Sequence, residues 1–144
     1  MEERELSIKW EHFPHDADMG IRGIGTTKAE AFEQAALALT AVIVDPHLVQ
    51  PRQKFHFTCD SPDDELLLVD WLNTLVFSMD QDKMLYHRFH IVIDHHHLEG
   101  IAWGEPVDRQ RHEPAVEVKG ATYTELSVHQ LPNGMWMAQC VVDV

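Results

Sequence analysis

A chain of 144 residues with 24 Asp and Glu against 11 Lys and Arg carries a formal charge of −13. It has no clustered basic surface to neutralise a phosphate backbone, so direct binding of DNA or RNA is set aside, and the acidity points instead to a cation or a basic protein partner. Its 44% hydrophobic content is that of a globular protein, long enough for one cored domain over 1–144 without disulfides or a structural metal.

No run approaches the ~18 apolar residues of a membrane span. The opening MEERELSIKW is charged throughout, so no secretory leader is expected and the default compartment is the cytosol. Cys59 and Cys140 lie in separate apolar runs with no second ligand at zinc spacing; two buried reduced thiols are expected.

In chain order, residues 7–13 read as a short strand. His15-Asp16-Ala17-Asp18-Met19-Gly20 is a tight acidic turn, and 19–25 alternate as a second strand whose glycines permit close approach or bulging. Thr27-Lys28-Ala29-Glu30 is a capping box opening a helix with Phe32, Ala35, Ala36, Leu39, Val42 and Ile43 on one face; Asp45-Pro46 stops it. Residues 53–59 alternate, with Phe55, Phe57 and Cys59 on one side. Ser61-Pro62-Asp63-Asp64 predicts a helix capped by Ser61, with Pro62 at its first position. That helix runs to about Met79 and is apolar on most sides, the pattern of a central buried helix, with Asp70 and Asn73 as polar exceptions.

From Tyr86 onward the period is mostly two. Phe89, Ile91 and Ile93 share a face, His95-His96-His97 reads as a turn, and 98–104 return as a strand. Residues 106–114 form a charged loop, 115–130 a long strand, and Pro132-Asn133-Gly134 a hairpin turn to a last strand over 135–142. Helices early and a β-meander late define an α+β domain, mostly antiparallel sheet with two main helices packed on it.

Chemistry concentrates at the ends. On local sequence alone, an Asp-Ala-Asp turn reads first as a solvated Asx turn rather than a site. An EF-hand starting at Asp16 fails because its twelfth position is Thr27. The chain stops at Val141-Val142-Asp143-Val144; if the fold joins the ends, Asp18, Asp143 and the Val144 carboxylate supply hard oxygen ligands for a divalent cation. His12 and His15 flank the turn; one of them can orient a carboxylate, with His15 as an auxiliary to the site, and a structural role is the simpler reading. In the histidine triplet only His95 and His97 share a strand face, and a solvated hairpin tip is the simpler reading. The charged stretch 108–113 reads as a solvated loop. No phosphate-cradling glycine loop, nucleophile elbow or paired Cys/His motif is present, so no catalytic residue is assigned and a metal-dependent hydrolase has no nucleophile or base to use.

Several ordered blocks resemble the archease family along essentially the whole chain. They are Trp10-Glu11-His12 to Gly20, Gly25 to Phe32, Asp70-Trp71-Leu72-Asn73, Gly104-Glu105, Arg111-His112-Glu113-Pro114, Glu117 to Tyr123 and Trp136 to Val144. The resemblance implies a small α+β protein, not itself an enzyme, that assists the tRNA-splicing RNA ligase by promoting its guanylylation and multiple turnover. A chaperone-like role toward RNA-modifying enzymes is the alternative. It further implies a divalent cation, calcium first and magnesium or manganese otherwise, held by the residues matching Asp18, Asp143 and Val144, and a functional lysine matching Lys119. The family commonly has Thr before the Ala of the first block. This chain has Asp16 there, an added carboxylate that can join the site or remain surface charge.

Overall fold

The computed structural model describes residues 7–144. In chain order the elements are β1 (Lys9–His15), β2 (Asp18–Gly25), α1 (Lys28–Ile43), a 3₁₀ turn (Pro46–Leu48), β3 (Gln53–Asp60), α2 (Asp64–Asp82), β4 (Met84–Asp94), β5 (His97–Pro106), α3 (Arg109–His112), β6 (Gly120–Ala121), β7 (Ser127–Gln130) and β8 (Trp136–Asp143). The architecture is α+β, as the order of elements predicts. The strands divide into two antiparallel sheets: a larger one in the order β1-β2-β8-β6, with β7 also on β8, and a smaller one in the order β3-β5-β4.

Local signals placed the helices well. Thr27 caps α1, its hydroxyl accepting the Glu30 N–H at 3.1 Å. The Glu30 carboxylate reaches one residue further back, to the N–H and hydroxyl of Thr26. In α2 the cap is Asp63, which accepts the Leu66 N–H at 2.8 Å. Ser61 is outside the helix and donates to Asp70, so Pro62 does not occupy the first turn. The helix also continues past Met79 to Asp82, where Lys83 in the left-handed region ends it.

Both helices touch both sheets. Their buried stripes meet around Phe32, Leu39, Leu67, Leu68, Trp71 and Leu72, and each such side chain contributes about 1.5–3 kcal/mol by leaving water. Trp71, fully buried, stacks edge-on against Phe57 and Phe89 and points its indole N–H at the Phe32 carbonyl. The helix is not buried all round, however: Phe77 is 67% exposed. Cys59 and Cys140 are buried free thiols, as expected, and burial pushes the Cys140 thiol up to about 12.

The C-terminal third departs from the predicted long strand. Within 115–130 only Gly120–Ala121 and Ser127–Gln130 pair, both with β8. Residues 113–119 run without regular structure because their backbone is used elsewhere, Ala115 N–H by the Ile43 carbonyl and Lys119 N–H by the Asp143 carbonyl. The predicted meander is therefore replaced by a crossing from the small sheet to the large one.

The predicted solvated loop at 106–114 is also different. It contains α3, and His112 is fully buried. His112 Nδ1 accepts the Asp108 N–H at 2.9 Å, so Nε2 carries the proton and donates to Glu105 Oε2 at 2.9 Å. Glu105, 3% exposed, also accepts from the Gln50 N–H and pairs with Arg111 at 2.7 Å.

Candidate functional site

The acidic turn is a two-residue hairpin loop, Asp16-Ala17, between paired His15 and Asp18. Strand β2 then pairs with β8 from Met19↔Val142 to Gly25↔Trp136, and the same register continued by one residue sets Asp18 opposite Asp143. The Val144 N–H lies 3.4 Å from Asp18 Oδ1. On the far side of β8, Gly120 pairs with Asp143, and the Lys119 N–H donates to the Asp143 carbonyl at 2.8 Å. Three segments far apart in sequence, 15–18, 119–121 and 143–144, thus end at one corner of the large sheet.

Asp18 and Asp143 sit at a matched register position on adjacent strands, and among the described residues neither forms an ion pair. Two neighbouring carboxylates repel when both ionise, and a cation between them removes that cost. Their oxygens are hard donors, suited to calcium, magnesium or manganese rather than to thiophilic metals. Among the described residues no three His, Cys, Asp or Glu side chains converge on one point, so the acidic corner offers two side chains together with Val144. Asp16 is 94% exposed at the tip, in the left-handed region, and its nearest cationic group is His15 Nδ1 at 4.0 Å. His15 is half-buried beside the Asp18 pair. The Lys119 side chain is exposed and forms no ion pair among the described residues, although its backbone is fixed to Asp143.

Asn73 holds the corner from behind. Its Oδ1 accepts the Ala121 N–H at 2.8 Å, tying α2 to β6 and through it to the end of β8. The sequence marks Asn73 only as a polar interruption of an apolar helix. Asn73→Ala leaves a half-buried N–H without its acceptor and is expected to cost about 1–2 kcal/mol in urea unfolding. Asn73→Asp, which keeps the acceptor, should recover most of that loss.

The histidine triplet is not a cluster. His95 and His96 form the loop between β4 and β5, whereas His97 begins β5. His95 pairs with Asp94, and His97 is held between Asp60 and Glu99, each at 2.7 Å. Those two hydrogen bonds, Glu99 first, hold His97 protonated above its ordinary range. A separate apolar groove of about 800 Å³ lies between α2 and residues 114–118, floored by Ile43, Met84 and Leu85.

With this geometry in view, comparisons with known proteins agree with one another. Residues 10–144 match the Archease protein family (MTH1598/TM1083). The chain is 39% identical over 140 residues to "Protein archease" of Pyrococcus furiosus, covering 94% of this chain and 99% of that protein. It is 33% identical over 141 residues to "Protein archease" of Methanosarcina mazei, covering 94% and 96%. The solution structure of Methanobacterium thermoautotrophicum protein 1598 superposes with a TM-score of 0.82 at 33% identity, covering 94% of this chain and 98% of that one. A small α+β protein with an acidic corner, this chain belongs to the archease family.

Among the described residues no helix is long and apolar enough to cross a membrane.

Proposed function

We propose that this chain is a non-catalytic protein cofactor of the tRNA-splicing and RNA-repair ligase, acting in the cytoplasm through a divalent cation at the acidic corner. The observation that carries this reading is the juxtaposition of Asp18 and Asp143 across β2 and β8, on a protein with a formal charge of −13. A ligase site that holds a nucleotide triphosphate and phosphodiesters is basic and metal-rich, so an acidic protein is complementary to it and associates faster. Asp18, Asp143 and Val144 would hold the cation, which supplies positive charge next to phosphate oxygens. His15 orients the turn and Lys119, fixed by its backbone to Asp143, contacts phosphate or a ligase carboxylate.

The test is single-turnover guanylylation of the ligase at limiting GTP, with and without this protein and with and without a chelator. The wild type is expected to raise the yield of guanylylated ligase, and Asp18→Ala or Asp143→Ala to return it to the ligase-alone level with an unchanged circular dichroism spectrum. Full stimulation by a folded Asp18→Ala/Asp143→Ala double variant would sink the reading.

The groove between α2 and 114–118, with Val116 exposed along it, supports a second reading as a chaperone-like binding protein for RNA-processing enzymes. In that case the chain suppresses aggregation of unrelated clients, and Asp18→Ala leaves that protection intact.

A further inference from the structure

The two edges of the small sheet are treated differently. On β4 the Ile91 N–H is taken by Glu33 Oε2 of α1 at 2.8 Å, and α1 covers that side. On β3 no described group takes the outward backbone. The Ser61 N–H donates to the His96 carbonyl, which sets the alternation of the β3–β5 ladder: 53, 55, 57 and 59 bond inward to β5. The N–H and C=O of Lys54, His56, Thr58 and Asp60 therefore point off the sheet. Such an edge is a template for another strand.

The side chains on that edge select what the strand is. Pair β3 antiparallel with a second β3 so that Phe57 faces Phe57. Lys54 then faces Asp60, His56 faces Thr58 and Phe55 faces Cys59. These opposite residues of even number are the ones whose backbone groups point outward, so each such pair exchanges two hydrogen bonds. Both ends of the new ladder bring a lysine to an aspartate, the favourable cross-strand arrangement. Asp60 already accepts from His97 at 2.7 Å, and a carboxylate has the capacity for both partners.

A second observation falls beside the same axis. Residues 70, 74 and 77 share one face of α2. Asp70 is bonded to Ser61, and Thr74 lies 3.6 Å from Cys59 Sγ, so this face runs beneath the open edge. The next residue along it is Phe77, 67% exposed. Two copies joined through β3 bring both Phe77 rings toward the two-fold axis and cover them.

We infer that this protein pairs with a second copy of itself through the β3 edge, forming one sheet in the order β4-β5-β3-β3-β5-β4 about a two-fold axis at Phe57. Such a pairing is isologous and closes at two copies. The charge of −13 on each copy opposes it at long range, and the Debye length of about 8 Å at physiological salt screens that repulsion while leaving the strand contacts. The acidic corner lies on the other sheet and stays open.

The test is sedimentation velocity on the whole chain in about 0.15 M salt, from about 5 μM to about 1 mM, with amide exchange measured alongside. A dimer is expected to appear with concentration, slowing exchange at Lys54, His56, Thr58 and Asp60 but not at Phe55 and Phe57. Lys54→Glu sets like charges opposite each other and is expected to weaken association about tenfold or more. Lys54→Glu/Asp60→Lys restores the attraction and should recover it. Thr58→Pro removes an N–H that no strand of its own copy uses, so it should leave the monomer folded and abolish the dimer. A chain that stays monomeric throughout, with unchanged exchange at the four outward amides, overturns the inference and leaves the edge to a strand of a different protein. A dimer indifferent to both Lys54→Glu and Thr58→Pro overturns it equally.

Discussion

Gly23→Ala is expected to lower stability by about 3 kcal/mol or more, read as a fall of roughly 10 °C in the thermal midpoint. A Cβ at this position collides with the Ala31 carbonyl oxygen and the Ala35 nitrogen of α1, and stands 2.8 Å from the Gln34 carbonyl carbon. These are backbone atoms of a helix packed on a sheet, so nothing local can yield and α1 must lift away from β2. Gly20 is a useful control. There the nearest atoms a Cβ meets all belong to the Phe13 ring, a side chain that can rotate aside, and the loss should be smaller. Gly134 makes a second contrast, with open space around it but φ at +89°, so Gly134→Ala costs conformation alone, about 1 kcal/mol. The glycines predicted to permit close approach in β2 do so, and the continuous β2–β8 register carries no bulge.

Glu105→Gln is expected to cost about 3 kcal/mol at pH 7. Burial by itself pushes the Glu105 carboxyl up, yet the Gln50 N–H, Arg111 and His112 together draw it down to about 2. Every group that faces it is a donor, so a glutamine turns its own NH₂ toward another donor and leaves the fully buried His112 Nε2–H poorly matched. A carboxyl whose folded value lies below its ordinary 4.5 contributes stability that is complete above that ordinary value. The contribution is lost as pH falls from about 4.5 through about 2. Urea unfolding at pH 7, 4 and 2.5 should therefore show the gap between wild type and Glu105→Gln narrowing stepwise. A gap of constant size would mean that the carboxylate charge is not what the network holds.

Features set by near neighbours were legible in the sequence, and features set by distant ones were not. Thr27 caps α1 because its partner is three residues away. Ser61-Pro62-Asp63-Asp64 offers two possible caps, and nothing local chooses between them. The choice falls on Asp63, whose carboxylate meets the Leu66 N–H, while the Ser61 hydroxyl bonds Asp70. Residues 115–130 alternate as a strand would, but Ala115 and Lys119 find their backbone partners in Ile43 and Asp143, residues that no local window contains. Glu105 belongs to a type almost never fully buried unless paired, and it is buried only because His112, Arg111 and the Gln50 N–H meet it there. The acidic corner lies between these cases. The residues that can hold a cation are visible at both ends of the chain, but the sequence could state their meeting only as a condition, and the β2–β8 register brings Asp18 opposite Asp143. Asp16, one turn residue away, is left at the tip.

The position of β8 has a consequence for how the molecule is made. It is the latest strand in chain order, yet it lies inside the large sheet, with β2 on one side and β6 and β7 on the other. Until it emerges during synthesis, β2 lacks its inner neighbour and the face of α1 that packs there stays wet. These pairings span most of the chain, the kind of long-range closure that forms slowly. Asp18 meets Asp143 only in that same event. The acidic corner is thus a late product of folding: a copy in which β8 has not yet paired with β2 does not possess it.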